Sequence, residues 1–475
     1  MKILMRQTAT AAIALAIGFA AVPADAQSLE DALASAYRSN PELLAQRSAL
    51  RAVDEQVPRA LSQWRPTVQV TGNAGPARDF NAVTTTSYGA GGSSDRVTTN
   101  NERVRRQATA TLQLTQPLYR GGRSTAELAR AEANVQASRS QLAATEQRVL
   151  LDAATAYINL ARELAVLDLN INNVQVLQRQ LDAARDRFQV GEITRTDVSQ
   201  AEARLAQAQA TRTGSEGNVN TARAAYLRVV GEPAGRPAVP AVPLGLLPGS
   251  DAEARDMALT VNPTVNQARY THEASGHDVS LIEGEKLPTV GLQADAIRSQ
   301  EPAGSRGVRR DTVDLLLTVT VPIYQQGLTD ARVREAKQTQ GQRRNQIDVS
   351  QRQVVDEANR AWQQLTTARA QIQSFQSQIR ANEIALEGVS QEARVGSRTV
   401  LDVLNAEQEL LNSRVSLVQA QRDQVLASFQ LLSATGRLTA RDLALKVEHY
   451  DPTAYLEATR NRWLGTDIPD ESPRR

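Results

Sequence analysis

The chain has 475 residues with 54 basic and 52 acidic side chains, a net charge of +2, no cysteine, and 4% aromatic content. Near-neutral charge argues against a nucleic-acid binder, and the missing cysteines exclude disulfides and a lipid-modified cysteine. So few large apolar side chains do not suit a thick globular core, whereas the abundant Ala, Gln, Arg, Leu and Glu suit long helices packed side by side.

Residues 1–26 read as a secretory signal: Lys2 and Arg6 precede an apolar run of 12 residues from Ala11 to Val22, and Ala24-Asp25-Ala26 fits cleavage before Gln27. The run is shorter than the ~20 apolar residues of a spanning helix. A helix is predicted over 29–57. After Pro66 the chain alternates Val68, Val70, Gly72, Ala74 with Thr67, Gln69, Thr71, Asn73, and before Pro117 it alternates Ala108, Ala110, Leu112, Leu114 with Thr109, Thr111, Gln113, Thr115. Such runs match the ~9–11 residues of a tilted membrane strand, apolar on one face and wet on the other. Residues 79–101 between them, rich in Thr, Ser, Gly and Asn, are predicted as a loop capping the hairpin.

From Arg123 to Gln189 there are 67 residues without proline, roughly 100 Å as a helix at ~1.5 Å per residue. A shorter helix is predicted over 195–230, and residues 232–250 form a linker.

The pattern then returns. Leu-Gln-Leu-Thr-Gln-Pro-Leu-Tyr, ending at Tyr119, recurs 205 residues later as Leu-Thr-Val-Thr-Val-Pro-Ile-Tyr, ending at Tyr324. The same offset carries Val190-Gly191 onto Val395-Gly396, Asp197 onto Asp402 and Gly231 onto Gly436. Upstream the offset is 222, matching Asn40-Pro41 with Asn262-Pro263, so the first half carries 17 extra residues, placed in its hairpin loop. The sequence thus divides into a signal (1–26), a first repeat (27–231), a linker (232–250), a second repeat (251–436) and a tail (437–475), with disorder one possibility for the tail. The second repeat predicts a helix over 251–283, strands at 289–296 and 312–321 around a loop at 301–311, a long helix over 328–394 and a shorter one over 400–435. Two short helices stacked beside each long one make helical columns of equal length.

Tyr157, Leu160, Leu164, Leu167, Ile171 and Val174 follow steps of three and four, with Leu181 a further seven on, and Ala358, Leu365, Ile372, Ile379, Leu386 and Ala393 recur every seven, both coiled-coil seams. Four strands are too few for a barrel around water, since spanning barrels start at ~8. Three copies supply twelve, though two or four are also compatible. The predicted fold is mainly α with a membrane β-barrel continued by a helical tunnel. The alternative, a secreted periplasmic coiled-coil scaffold or adaptor, explains the heptads but not the strands. Catalysis finds no support: His272 and His277 lack zinc-protease spacing, no Gly-x-Ser-x-Gly elbow occurs, and Gly89 to Gly92 lacks the Gly-Lys-Ser/Thr of a phosphate loop. No cofactor or metal is expected.

The Asn40-Pro41 helix start, both strand pairs, and the turns 187–198 (Arg-Phe-Gln-Val-Gly-Glu-Ile-Thr-Arg-Thr-Asp-Val) and 395–406 (Val-Gly-Ser-Arg-Thr-Val-Leu-Asp-Val-Leu-Asn-Ala) resemble outer-membrane efflux proteins of the TolC family. The resemblance implies a homotrimer with a twelve-strand barrel in outer-membrane lipid, a periplasmic tunnel, and an equatorial belt drawn from the linker and tail. It implies a periplasmic adaptor docking at Val190, Gly191, Val395, Gly396 and Ser397, with an inner-membrane pump of the RND or ABC type behind it. It also implies a gate latch in which Arg398 reaches Thr196 and Asp197 of the neighbouring helix pair, and a constriction ring at Asp402. Asn405 replaces a second acidic constriction residue, and Ala393 stands where the family often has a latch tyrosine. Thr196, Asp197 and Thr399 equally suit plain helix capping. Arg103, Arg105, Arg106, Arg306, Arg309 and Arg310, at matched hairpin ends, suit either lipid phosphates or ordinary loop polarity.

Overall fold

The computed structural model describes residues 28–240, 242–302 and 307–468; the predicted signal, Arg306 and the last seven residues lie outside them. The chain runs α1 (Leu29–Ser39), α2 (Pro41–Asp54), α3 (Gln56–Leu61), β1 (Thr67–Tyr88), β2 (Ser94–Arg120), α4 (Arg123–Gln189), α5 (Arg195–Val230), α6 (Asp251–Val261) and α7 (Pro263–Glu283). It continues through β3 (Thr289–Gln300), β4 (Arg309–Thr320), α8 (Leu328–Arg394), α9 (Val400–Ala434) and α10 (Ala454–Thr459). Among the described residues, no helix is long and apolar enough to cross a membrane.

Two predicted helices are interrupted for a shared reason. Asn40 and Asn262 cap α2 and α7 through their side-chain oxygens, each followed by Pro at the first helical position. An Asn-Pro pair favours extended backbone before the ring and starts a new helix after it.

The predicted loop 79–101 is not a loop. β1 and β2 stay paired through 22 residue pairs up to Tyr88↔Ser94, whereas β3 and β4 pair over 12. Threonine and valine are β-branched and favour extended backbone. Here Thr84 and Thr98 hydroxyls meet at 2.9 Å and Arg78 pairs with Glu102. Only 89–93 is left as the turn.

One compact unit comprises the described parts of Met1–Ser35, Ala153–Ala241 and Phe375–Arg422. Its core sets Leu177, Leu181 and Ala184 of α4 against Ala201, Leu205 and Ala208 of α5 and Leu404 of α9. Small residues on α5 let the helices approach, and polar pairs fix their register: Asn170 donates to Ser215 at 2.7 Å, and Arg422 to Asn159 at 2.9 Å. Tyr157 and Tyr226 stack tilted with centroids 6.4 Å apart.

The other unit comprises Ala36–Asp152, Val242–Ser374 and the described part of Asp423–Arg475. Val354, Ala358, Val265, Ala258 and Ala434 form one buried cluster, Leu365, Ala361, Leu431 and Ala427 another. Gly121, between β2 and α4, and Gly284, between α7 and β3, let the two junctions touch. A Cβ on Gly284 would lie 2.5 Å from the Gly121 carbonyl oxygen, and Gly121 has φ +62°. The tail through 468 is tied down: Tyr455 donates to Glu55 at 2.8 Å, Arg460 to Glu132 at 2.9 Å, and Arg65 to the Arg462 carbonyl at 2.8 Å.

Candidate functional site

Two features carry the chemistry: the faces of the sheet and the turns that end α4 and α8. The sheet has order β1-β2-β3-β4, all antiparallel. Cross-strand partners share a face, so the register sorts side chains across all four strands. Val70, Leu112, Ala296 and Val313 form one row, and Val68, Leu114, Ala294 and Leu315 the next. Between them, on the opposite face, runs Gln69, Gln113, Asp295 and Asp314. Leu316, aligned with Gln293 and Thr115, is a departure on that polar face. Six of these eight apolar side chains are exposed in the single chain, Val313 at 83% and Leu315 at 70%, while Leu114 and Ala294 are partly covered. β1 and β4 each have one neighbour, so the sheet is open at both sides.

The two turns share one backbone solution. Gly191 and Gly396 adopt φ of +80° and +81°, a left-handed conformation that residues with a Cβ adopt only under strain. The Glu192 amide then donates to the Arg187 carbonyl at 2.9 Å, and the Ser397 amide to the Glu392 carbonyl at 3.0 Å. The next helices begin with reciprocal caps. Thr194 accepts from the Asp197 amide while the Asp197 carboxylate accepts from the Thr194 amide and hydroxyl at 2.9 and 2.8 Å. Thr399 and Asp402 repeat this at 3.0 and 2.8 Å. These bonds, with Arg398 nearby, hold the Asp402 carboxyl below the usual range. The cap of α5 is therefore Thr194; Thr196 is the second residue inside it, exposed.

Ion pairs staple both turns with reversed polarity. Arg187 Nε donates to Glu192 at 2.9 Å, and Arg398 Nε donates to Glu392 at 2.9 Å. Arg187 and Glu392 are equivalent positions of the 205-residue repeat. The Glu392 bond holds Arg398 above its ordinary pKa. Within the chain, Arg398 thus meets Glu392 rather than Thr196 or Asp197. Asn405 accepts from Arg204 of α5 at 2.8 Å, and Ala393 is buried. Val190 and Val395 are exposed at 73% and 81%. The sequence reading missed Thr194, Arg204, Glu192 and Glu392; the Thr-x-x-Asp spacing at 194–197 and 399–402 carried the capping signal. Arg298 and Arg309 at the β3–β4 end pair with Asp311.

A family profile described as "Outer membrane efflux protein" matches residues 32–232 and 254–437. The chain is 37% identical over 444 residues to outer membrane efflux protein BepC of Brucella suis, covering 94% of this chain and 93% of BepC. It is 25% identical over 370 residues to alkaline protease secretion protein AprF of Pseudomonas aeruginosa, covering 76% of each. Its fold matches the crystal structure of outer membrane protein VceC from Vibrio cholerae with a TM-score of 0.71 at 20% identity, over 86% of this chain and 96% of VceC. Built on one four-stranded sheet, two long helices and two repeated turns, the chain belongs to the outer membrane efflux protein family, the TolC-like channels.

Proposed function

We propose that this chain is the outer-membrane exit duct of a tripartite efflux or type I secretion system, working as a homotrimer. The observation that carries this reading is the sheet. Two full rows of apolar side chains on one face and an amide and carboxylate row on the other suit lipid outside and water inside. A bilayer tolerates no unpaired strand edge, so β1 of one copy joins β4 of the next, and three copies close twelve strands. The helices below the barrel form the periplasmic tunnel. BepC and AprF, whose names refer to efflux and protease secretion, support the two transport settings.

In this reading the turns at 187–198 and 395–406 form the periplasmic tip. Arg398 exchanges Glu392 for Asp197 and Thr196 of the neighbouring helix pair in the closed state, and Asp402 contributes one carboxylate per copy to the constriction. Asn405 adds none. A periplasmic adaptor docks at Val190-Gly191 and Val395-Gly396-Ser397 and prefers the open tip, and an inner-membrane pump of the RND or ABC type supplies energy and selectivity. No step here is catalytic.

The particle mass in dodecyl maltoside, measured by light scattering, tests the assembly. Three copies per particle are expected; a monomer that stays soluble without detergent would favour a secreted coiled-coil scaffold instead.

A further inference from the structure

A cleft of about 280 Å³ opens where the α1–α2 junction, α4 and the segment after α9 meet. Three guanidinium groups line it, Arg47, Arg139 and Arg441, together with His449 and a single carboxylate, Glu146. That carboxylate is engaged within the chain: its Oε1 accepts from the Ala440 amide at 2.8 Å, and burial pushes its pKa upward. The lining is therefore positive.

The cleft is also held in shape. Arg47 lies against two rings, its Cζ 4.7 Å from the Tyr37 centroid and 5.1 Å from that of Tyr450. Its Nη2 donates to the Tyr37 carbonyl at 3.3 Å, and the Tyr450 amide donates to the Tyr37 hydroxyl at 3.1 Å. Aromatic contacts of this kind fix a guanidinium without using its N–H groups. The Nε atoms of Arg47 and Arg139 are both buried and lack a hydrogen-bond partner. Asp54 and Asp451 lie near Arg139, yet Arg139 Nε reaches neither, and Asp451 instead accepts from Thr453 at 2.8 and 2.7 Å.

We propose that this cleft binds a small oxyanion, a carboxylate or phosphate group, through Arg47, Arg139 and Arg441. Guanidinium forks match both oxyanions in geometry and charge. The volume lies just below the ~300–1,000 Å³ of sites for drug-sized molecules, so the ligand is a compact anion and not a polymer. The lining shares no residue with the sheet or with either turn.

Isothermal titration of the full-length protein in dodecyl maltoside with sodium phosphate, and separately with sodium succinate, tests it against sodium chloride at matched ionic strength. Saturable binding of one anion per chain is expected for at least one of the two. The Kd should rise tenfold or more in Arg139→Gln and Arg441→Gln and stay unchanged in Arg255→Gln, on α6. Phosphate alone identifies a phosphate ligand, succinate alone a carboxylate. Arg441 is exposed, so its variant decides the matter if Arg139→Gln does not fold. Absence of saturable heat with either anion, or the same Kd in Arg441→Gln as in wild type, would overturn the proposal.

Discussion

Arg398 and Glu392 face each other across the second turn, guanidinium Nε to carboxylate oxygen at 2.9 Å, both about half exposed. If Arg398 also serves as the closing latch, Glu392 competes for the same cation. Glu392→Gln then releases Arg398 toward Asp197 and stabilises the closed tip, lowering channel opening by a few-fold. An exposed pair contributes ~0–1 kcal/mol, so a larger effect is not expected. Opening frequency in planar bilayers reads the change; an increase would place the latch elsewhere.

Asp54 is 0% exposed and neither carboxylate oxygen has a hydrogen bond. Burial raises its pKa from 3.8 to about 6, opposed by Arg139 and reinforced by Glu55. The fold prefers the protonated acid. Its stabilising contribution is full below pH 3.8 and is lost as pH rises through about 6. Asp54→Asn should therefore stabilise the protein by roughly 1–3 kcal/mol near pH 7.5 and by almost nothing near pH 4. Thermal unfolding at the two pH values checks this; equal shifts at both would contradict it.

Val70 sits in an apolar row and Gln113 in the polar one. Arginine at position 70 should cost ~2–4 kcal/mol if that face meets lipid, whereas Gln113→Arg should assemble normally. Folded protein recovered in outer-membrane fractions distinguishes them. Equal recovery of both variants would mean the sheet has no lipid side.

Gly284→Ala places a Cβ 2.5 Å from a backbone oxygen and 2.7 Å from Arg123 Cγ. Separating the two junctions should cost about 1–3 kcal/mol. Gly217→Ala, with nothing within 4 Å on α5, should stabilise by up to ~1 kcal/mol. Denaturant midpoints of the two variants should move in opposite directions.

Element placement was legible wherever one local signal dominated. The long helices lie at 123–189 and 328–394 as the proline-free runs indicate, because 67 residues of helical pattern leave little competition. The β1–β2 extension was not legible: Thr84, Asn100 and Ser87 read as loop by composition, and only cross-strand pairing makes them strand. Capping at Thr194 was visible in its spacing but obscured by the neighbouring Thr196. The Arg398–Glu392 and Arg204–Asn405 bonds had no sequence signal, since each depends on how a turn or helix pair folds back. The anion cleft joins Tyr37, Arg139 and Tyr450, residues far apart in sequence whose meeting only the tertiary fold decides.

Single-channel conductance of the purified oligomer in planar bilayers, wild type beside Arg398→Ala, probes the gated pore most directly. A gated trimeric duct predicts small, infrequent conductance in wild type and larger, more frequent openings in Arg398→Ala. Verified reconstitution with no conductance from either protein would contradict the pore itself, and identical conductance from both would contradict the Arg398 latch.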